Sequence, residues 1–213
     1  ITDSNFANEK LVDVDPEKNK EHRSQKAILH AITSPDIIEG TEADCRVINW
    51  QSVTNKRVCN STLQAEAHAM MTGTDQGDRF RAIIAGMNGS LDLRDWERSV
   101  NLTMKHGWLS DCNSLVSHLH NAVDARLENT RLSIDISALR QRLWLDPEGE
   151  PYEELPPPKE AANVLRWIDT SAMCVDCLTK KMKAGCLWDV MHGHVDINAT
   201  PETIITKMRK SKL

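Results

Sequence analysis

Hydrophobic and polar positions change period several times along the chain, and each change predicts an element. Residues 26–33 (KAILHAIT) are a mostly apolar run closed by Ser34-Pro35, which predicts a strand, since proline interrupts a ladder. Residues 46–53 (RVINWQSV) set Val47, Asn49 and Gln51 against Ile48, Trp50 and Ser52, the period of two of another strand. Residues 1–8 read as the end of a strand that precedes both. Ser61, with Gln64 three residues on, is a capping-box pattern, and Leu63, Ala67, Met70, Met71 and Thr74 follow at helical spacing. Phe80, Ile83, Ile84 and Met87 continue that stripe as core packing, with Gly73 and Gly77 as its weak points. Residues 100–109 predict a strand ending at Ser110-Asp111, and residues 114–123 a short amphipathic helix. Residues 132–145 predict a longer helix with Leu132, Ile134, Ile136, Leu139 and Leu143 turned inward. Residues 163–170 read as a last strand and 171–183 as a helix with a basic end. Three leading strands imply an antiparallel meander, and later strands separated by helices imply parallel additions, so the class expected is α/β.

Length and composition narrow this. The chain has 213 residues, enough for one domain with extensions, and its 40% hydrophobic and 27% charged residues give an ordinary globular balance. Residues 9–25 and 146–158 are polar or rich in Pro, Glu and Gly, and read as surface loop insertions. No stretch approaches the ~20 apolar residues of a membrane span, so no membrane partner is expected. The formal net charge of -5 does not indicate a strongly basic nucleic-acid binder, although bound cations would offset negative charge. Six cysteines without a signal peptide read as reduced thiols in an intracellular, unsecreted protein. Cys174 and Cys177 form a CxxC, but no second such pair completes a zinc or redox motif. His118 and His120, and His192 and His194, are spaced two apart, which does not put them on one helix face, and they read as surface groups.

With 31 Asp and Glu residues, the default for each is a solvated surface group. Asp3, Glu66, Asp111 and Asp176 differ, because they sit at or near predicted element ends among apolar or small neighbours. Carboxylates from separate elements repel each other where they converge, and are tolerated together when cations bind between them.

Five blocks, in order, resemble the ribonuclease H domain of copia-type retrotransposon polyproteins. Residues 1–8 (ITDSNFAN) are similar to its first strand, and residues 60–66 (NSTLQAE) to its Ser-rich, Ala-Glu helix start. Before that helix the family has a tryptophan strand and a Lys-containing turn, matched here by Trp50 and by Lys56-Arg57-Val58. Residues 110–114 (SDCNS) resemble its Asp-Asn-x-Ser turn, and Asp135 falls in a counterpart of its His-Ile-Asp segment. Residues 175–180 (VDCLTK) resemble its closing Ala-Asp-x-Leu-Thr-Lys signature. The chain departs from the family at Ala67, where an aromatic is usual, and at Leu132-Ser133, where Lys-His is usual, which bears on substrate contacts.

The resemblance implies a ribonuclease H-like fold, a mixed five-stranded sheet with flanking helices, over residues 1–184. The first strand reads as truncated, and residues 185–213 as a C-terminal extension with a basic tail. It implies an endonuclease that hydrolyses the RNA strand of RNA–DNA hybrids, beside a reverse transcriptase domain in the same polyprotein. Asp3, Glu66, Asp111 and Asp176 match the catalytic carboxylates, which would hold two Mg2+ ions, or Mn2+ in their place, about 4 Å apart. Lys56, Arg57, Asn113, Ser114 and Lys180 are the candidate nucleic-acid contacts, with Lys181 and Lys183 beside them. Two rivals remain open: a catalytically silent module that tethers or binds nucleic acid, and an unrelated carboxylate-metal phosphodiesterase.

Overall fold

In the computed structural model, the described residues are 1–9, 23–39, 42–121, 129–153, 157–158 and 160–197. Strands β1 (Thr2–Glu9), β2 (Arg23–Thr33) and β3 (Glu42–Thr54) form the expected antiparallel meander, with helix α1 (Asp36–Glu39) between β2 and β3. Helix α2 (Thr62–Met87) follows, then α3 (Trp96–Thr103), β4 (His106–Ser110), α4 (Asn113–His120) and α5 (Thr130–Trp144). Strand β5 (Asn163–Trp167) pairs in parallel with β4, and α6 (Asp176–Thr179), α7 (Gly185–Met191) and β6 (His194–Asp196) close the chain's described part. The loop expected at residues 9–25 falls largely outside the described residues, as does the basic tail at 206–213.

The fold is therefore mixed α/β, but its strands are divided differently from the expected single five-stranded sheet. They form a four-stranded antiparallel sheet in the order β1-β2-β3-β6 and a separate parallel pair, β4-β5. β1 and β4 approach each other without a ladder among the described residues. Between them lies a cavity of about 400 Å³, walled in part by Thr2, His30, Gly73, Gly77, His106 and Trp108. The side chains of Thr2 and His106 lie close against α2 at Gly73 and Gly77, and Asp3 of β1 and Asp111 after β4 come together.

Two buried clusters hold these layers. One packs Ala67 and Met70 of α2, Leu115, Val116 and Leu119 of α4, and Leu132, Ile136, Leu139 and Leu143 of α5 against Trp108, Leu165 and Trp167 of the parallel pair. The other joins β2 and β3 to Leu109, Val164 and residues 173–175, and takes in Val190, Val195 and Ile197. Those last three lie beyond residue 184. The start of the expected C-terminal extension is thus built into the core, with β6 bonded to β3 through Ala43 and Val195.

Several local expectations change for physical reasons. Val100 belongs to α3 instead of a strand: it is buried beneath Arg81, whose guanidinium donates to Val100 O at 3.3 Å. Ile134 is 62% exposed, because it lies on the face of α5 opposite the Leu132–Ile136–Leu139–Leu143 row. Ile83 and Met87 are also exposed, so the core stripe of α2 ends near Ala85. The helix expected over 171–183 shortens to a 3-10 turn, Thr170–Ala172, and the four residues of α6. His120 is half-buried and not a surface group, and burial lowers its pKa to about 4. No helix among the described residues is long and apolar enough to cross a membrane.

Candidate metal centre

The N-terminus of α2 is set by its cap. Ser61 Oγ accepts from Gln64 N at 3.2 Å, and Gln64 Oε1 accepts from Asn60 N at 2.8 Å, a capping box displaced by one residue. This start places Glu66 on the buried side of the first turns, facing β1. Ser4 N donates to Glu66 Oε1 at 3.1 Å, while Glu66 Oε2 is buried with no hydrogen-bond partner.

Three further carboxylates arrive on separate elements. Asp3 comes from the middle of the β1–β2 ladder, paired with Ala27. Asp111 follows the last residue of β4, where its carbonyl accepts from Trp167 Nε1 at 2.9 Å and is pinned to β5. Asp176 opens α6. One carboxylate oxygen from each of Asp3, Asp111 and Asp176 lies within 4.8 Å of the others. Glu66 stands beside this group rather than in it, close enough that the charges of Asp3 and Asp111 act on it.

With no cation bound, the surroundings oppose full ionisation of this cluster. Burial raises the pKa of Asp3 to about 6, against the opposing pull of a Thr179 hydroxyl bond and the Lys180 ammonium. Glu66 is raised well above the ordinary carboxylate range by burial first, then by Asp3 and Asp111. Burial also raises Asp111, against a side-chain bond from Thr170. Lys180 Nζ donates to Asp176 Oδ1 at 2.7 Å and lies 3.9 Å from Asp3 Oδ1. Burial lowers the pKa of Lys180, but Asp176 and Asp3 together hold it above its usual value.

All four residues singled out from the sequence therefore share one neighbourhood, and the donor set is all oxygen, which suits Mg2+. A buried, unpartnered carboxylate oxygen is costly unless something cationic meets it, so Glu66 Oε2 fits a cation held beside Asp3 and Asp111. Of the basic candidates, Lys180 alone is bonded to the cluster among the described residues. Lys56 and Arg57 are exposed on the β3–α2 loop, where their charges act on Lys26. Asn113 and Ser114 are exposed at the start of α4, two and three residues after Asp111, and Lys181 and Lys183 are exposed beyond α6.

Asp135 does not join the carboxylates. It faces α2, with Oδ2 3.0 Å from His68 Nε2. All six cysteines are free, and Cys174 is packed in the core beside Met173 and Val175, where burial raises its pKa to about 12. Sequence reasoning gave no role to Thr170 or to the Ser4 amide. Thr179 stood inside the Leu-Thr-Lys block without a role, and its hydroxyl proves to donate to Asp3 Oδ2. No family model, no curated protein and no solved structure matches the chain.

Proposed function

We propose that the chain is a divalent-cation-dependent phosphodiester hydrolase of the ribonuclease H type, acting on the RNA strand of an RNA–DNA hybrid. What carries the reading is the meeting of Asp3, Asp111 and Asp176 from β1, the end of β4 and α6 within 4.8 Å, with Glu66, whose Oε2 is buried and unpartnered, near enough to feel the charges of Asp3 and Asp111. Support of a different kind is the family order of the five sequence blocks, which the four carboxylates follow. The mixed α/β architecture, with its three-strand meander, long helix and parallel β4–β5 pair, is compatible with this reading, although the strands form two sheets instead of one.

Asp3, Glu66, Asp111 and Asp176 would hold two Mg2+ ions. Bound there, the ions would generate a water nucleophile and offset charge on the scissile phosphate. The protein's part is orientation: Thr179 fixes the Asp3 carboxylate, Ser4 N fixes Glu66 Oε1, and Trp167 fixes the Asp111 backbone. Asn113, Ser114, Lys56 and Arg57 are exposed polar groups available to phosphates and 2′-hydroxyls, by which hybrids are recognised more than by base sequence. A reverse transcriptase domain of the same polyprotein is the natural partner on this reading.

The test is incubation of the chain with a labelled RNA–DNA hybrid and Mg2+, beside Asp111→Asn. Loss of the RNA strand alone, by at least ~100-fold more in the parent than in the variant, is the expected result. One observation favours a silent tethering module instead: the Lys180 ammonium already neutralises part of the cluster. An intact hybrid with a folded protein would select that alternative.

A further inference from the structure

The cationic cover of the carboxylate cluster is one-sided. Lys180 Nζ bonds Asp176 Oδ1 at 2.7 Å and lies 3.9 Å from Asp3 Oδ1, whereas neither Glu66 nor Asp111 is bonded to a cation among the described residues. The backbone that carries Lys180 is firmly seated. Asn5 Nδ2 donates to Thr179 O at 3.0 Å, and Ser52 Oγ donates to Leu178 O. The side chain itself is free to leave: that of Lys180 is 38% exposed, while those of Asp176 and Asp3 are 6% and 2% exposed. The ammonium thus sits at the mouth of the cluster, between two buried acids and water.

We infer that Lys180 is the resident counter-ion of this site, and that a divalent ion reaches the Asp176 side only by displacing its ammonium. The inference rests on the cation-site reading above. The two sides of the cluster then differ in affinity. The side formed by Glu66 and Asp111 with Asp3 takes the first ion, since its unpartnered oxygen has no cation to release. The Asp176 side takes the second ion weakly, because a unit positive charge must first leave a position a few ångströms from it. The displaced Lys180 turns to the exposed side, where a phosphate can receive it.

Isothermal titration of the whole chain with MgCl2 and with MnCl2 reads this without any assay of activity. The parent is expected to show two unequal steps. In Lys180→Met the second step tightens by about tenfold or more while the first changes little, because the repelled charge is gone. Lys180→Arg keeps the weak second step. With EDTA, Lys180→Met melts roughly 5 °C or more below the parent, because the buried Asp176 loses its cationic partner. Identical binding curves for parent and Lys180→Met would overturn the inference and leave the cation site standing. Absence of binding in both proteins would overturn the cation site as well.

Discussion

Asp3 shows what a buried acid contributes, and what it costs the fold. Its pKa, raised to about 6 mainly by burial, lies above the ordinary value of 3.8, so the folded state holds a proton that the unfolded state has released. The sign follows: without divalent cations the charged Asp3 burdens the fold above pH ~6, and the burden disappears as pH falls through 6 toward 3.8. Asp3→Asn is therefore expected to melt higher than the parent at pH 8 with EDTA, by on the order of 5 °C. The advantage should vanish near pH 4. With saturating Mg2+ the order should reverse, because only the parent gains from ligand binding. Melting curves at pH 8 and pH 4, with EDTA and with Mg2+, read all three outcomes, and a variant that melts below the parent at pH 8 with EDTA would contradict the account. The identity of Asp3 as a candidate was readable from its sequence block. The Glu66 contact with Ser4 N was not, because it depends on how far α2 lies from β1.

At the scale of elements, α2 carries the clearest example of a misread signal. Gly73 and Gly77 look like breaks in a helical stripe, because glycine disfavours helix by about 1 kcal/mol relative to alanine. Yet the helix runs through both, from Thr62 to Met87. The glycines lie one turn apart on the buried face, and each makes room for a neighbour. A Cβ at Gly73 would stand 2.5 Å from Thr2 Cγ2, and one at Gly77 would collide with the His106 ring. Gly77→Ala should thus destabilise by about 1–3 kcal/mol despite its helix propensity, since overpacking outweighs the backbone gain. Gly86→Ala, in the same helix with only Leu91 nearby at 3.6 Å, should be neutral or stabilising. Urea denaturation of the pair checks the contrast, and equal effects would refute the close-approach reading. The start of α2 and most of the apolar rows of α4 and α5 were legible, because a cap and a row are local signals. The start of β4 was not, since the apolar positions Val100 and Leu102 are equally good in the short helix α3.

Assembly of the whole molecule depends on contacts that pattern alone does not encode. The meander could be anticipated from strand order, and the division between the antiparallel sheet and the β4-β5 pair could not. It depends on where α2 sits between β1 and β4, and on β6 returning to the free edge of β3. Neutral histidines join these parts. His30 of β2 bonds Gly73 O of α2 through Nε2 at 2.8 Å, and its Nδ1 faces the Asn49 amide nitrogen at 3.5 Å. Both contacts suit an imidazole protonated on Nε2 alone, since a second proton on Nδ1 would point at a donor. Burial accordingly lowers His30 from 6.5 to about 4, and His120 to about 4, while His106 beside Gly77 is lowered as well. A base with a folded pKa below its unfolded value binds protons preferentially when unfolded, so stability is lost as pH falls from about 6.5 toward 4. This runs opposite to the gain from Asp3, Glu66 and Asp111, but four lowered histidines, His68 included, together with the lowered Asp78, should make the net slope one of acid destabilisation. The melting temperature with EDTA should fall across that interval. His30→Gln and His120→Gln combined should flatten the fall, because glutamine offers the same donor and acceptor atoms without a titrating ring. A parent whose melting temperature holds level from pH 6.5 to 4 would mean that the histidines do not control how the sheet and helices stay together in acid.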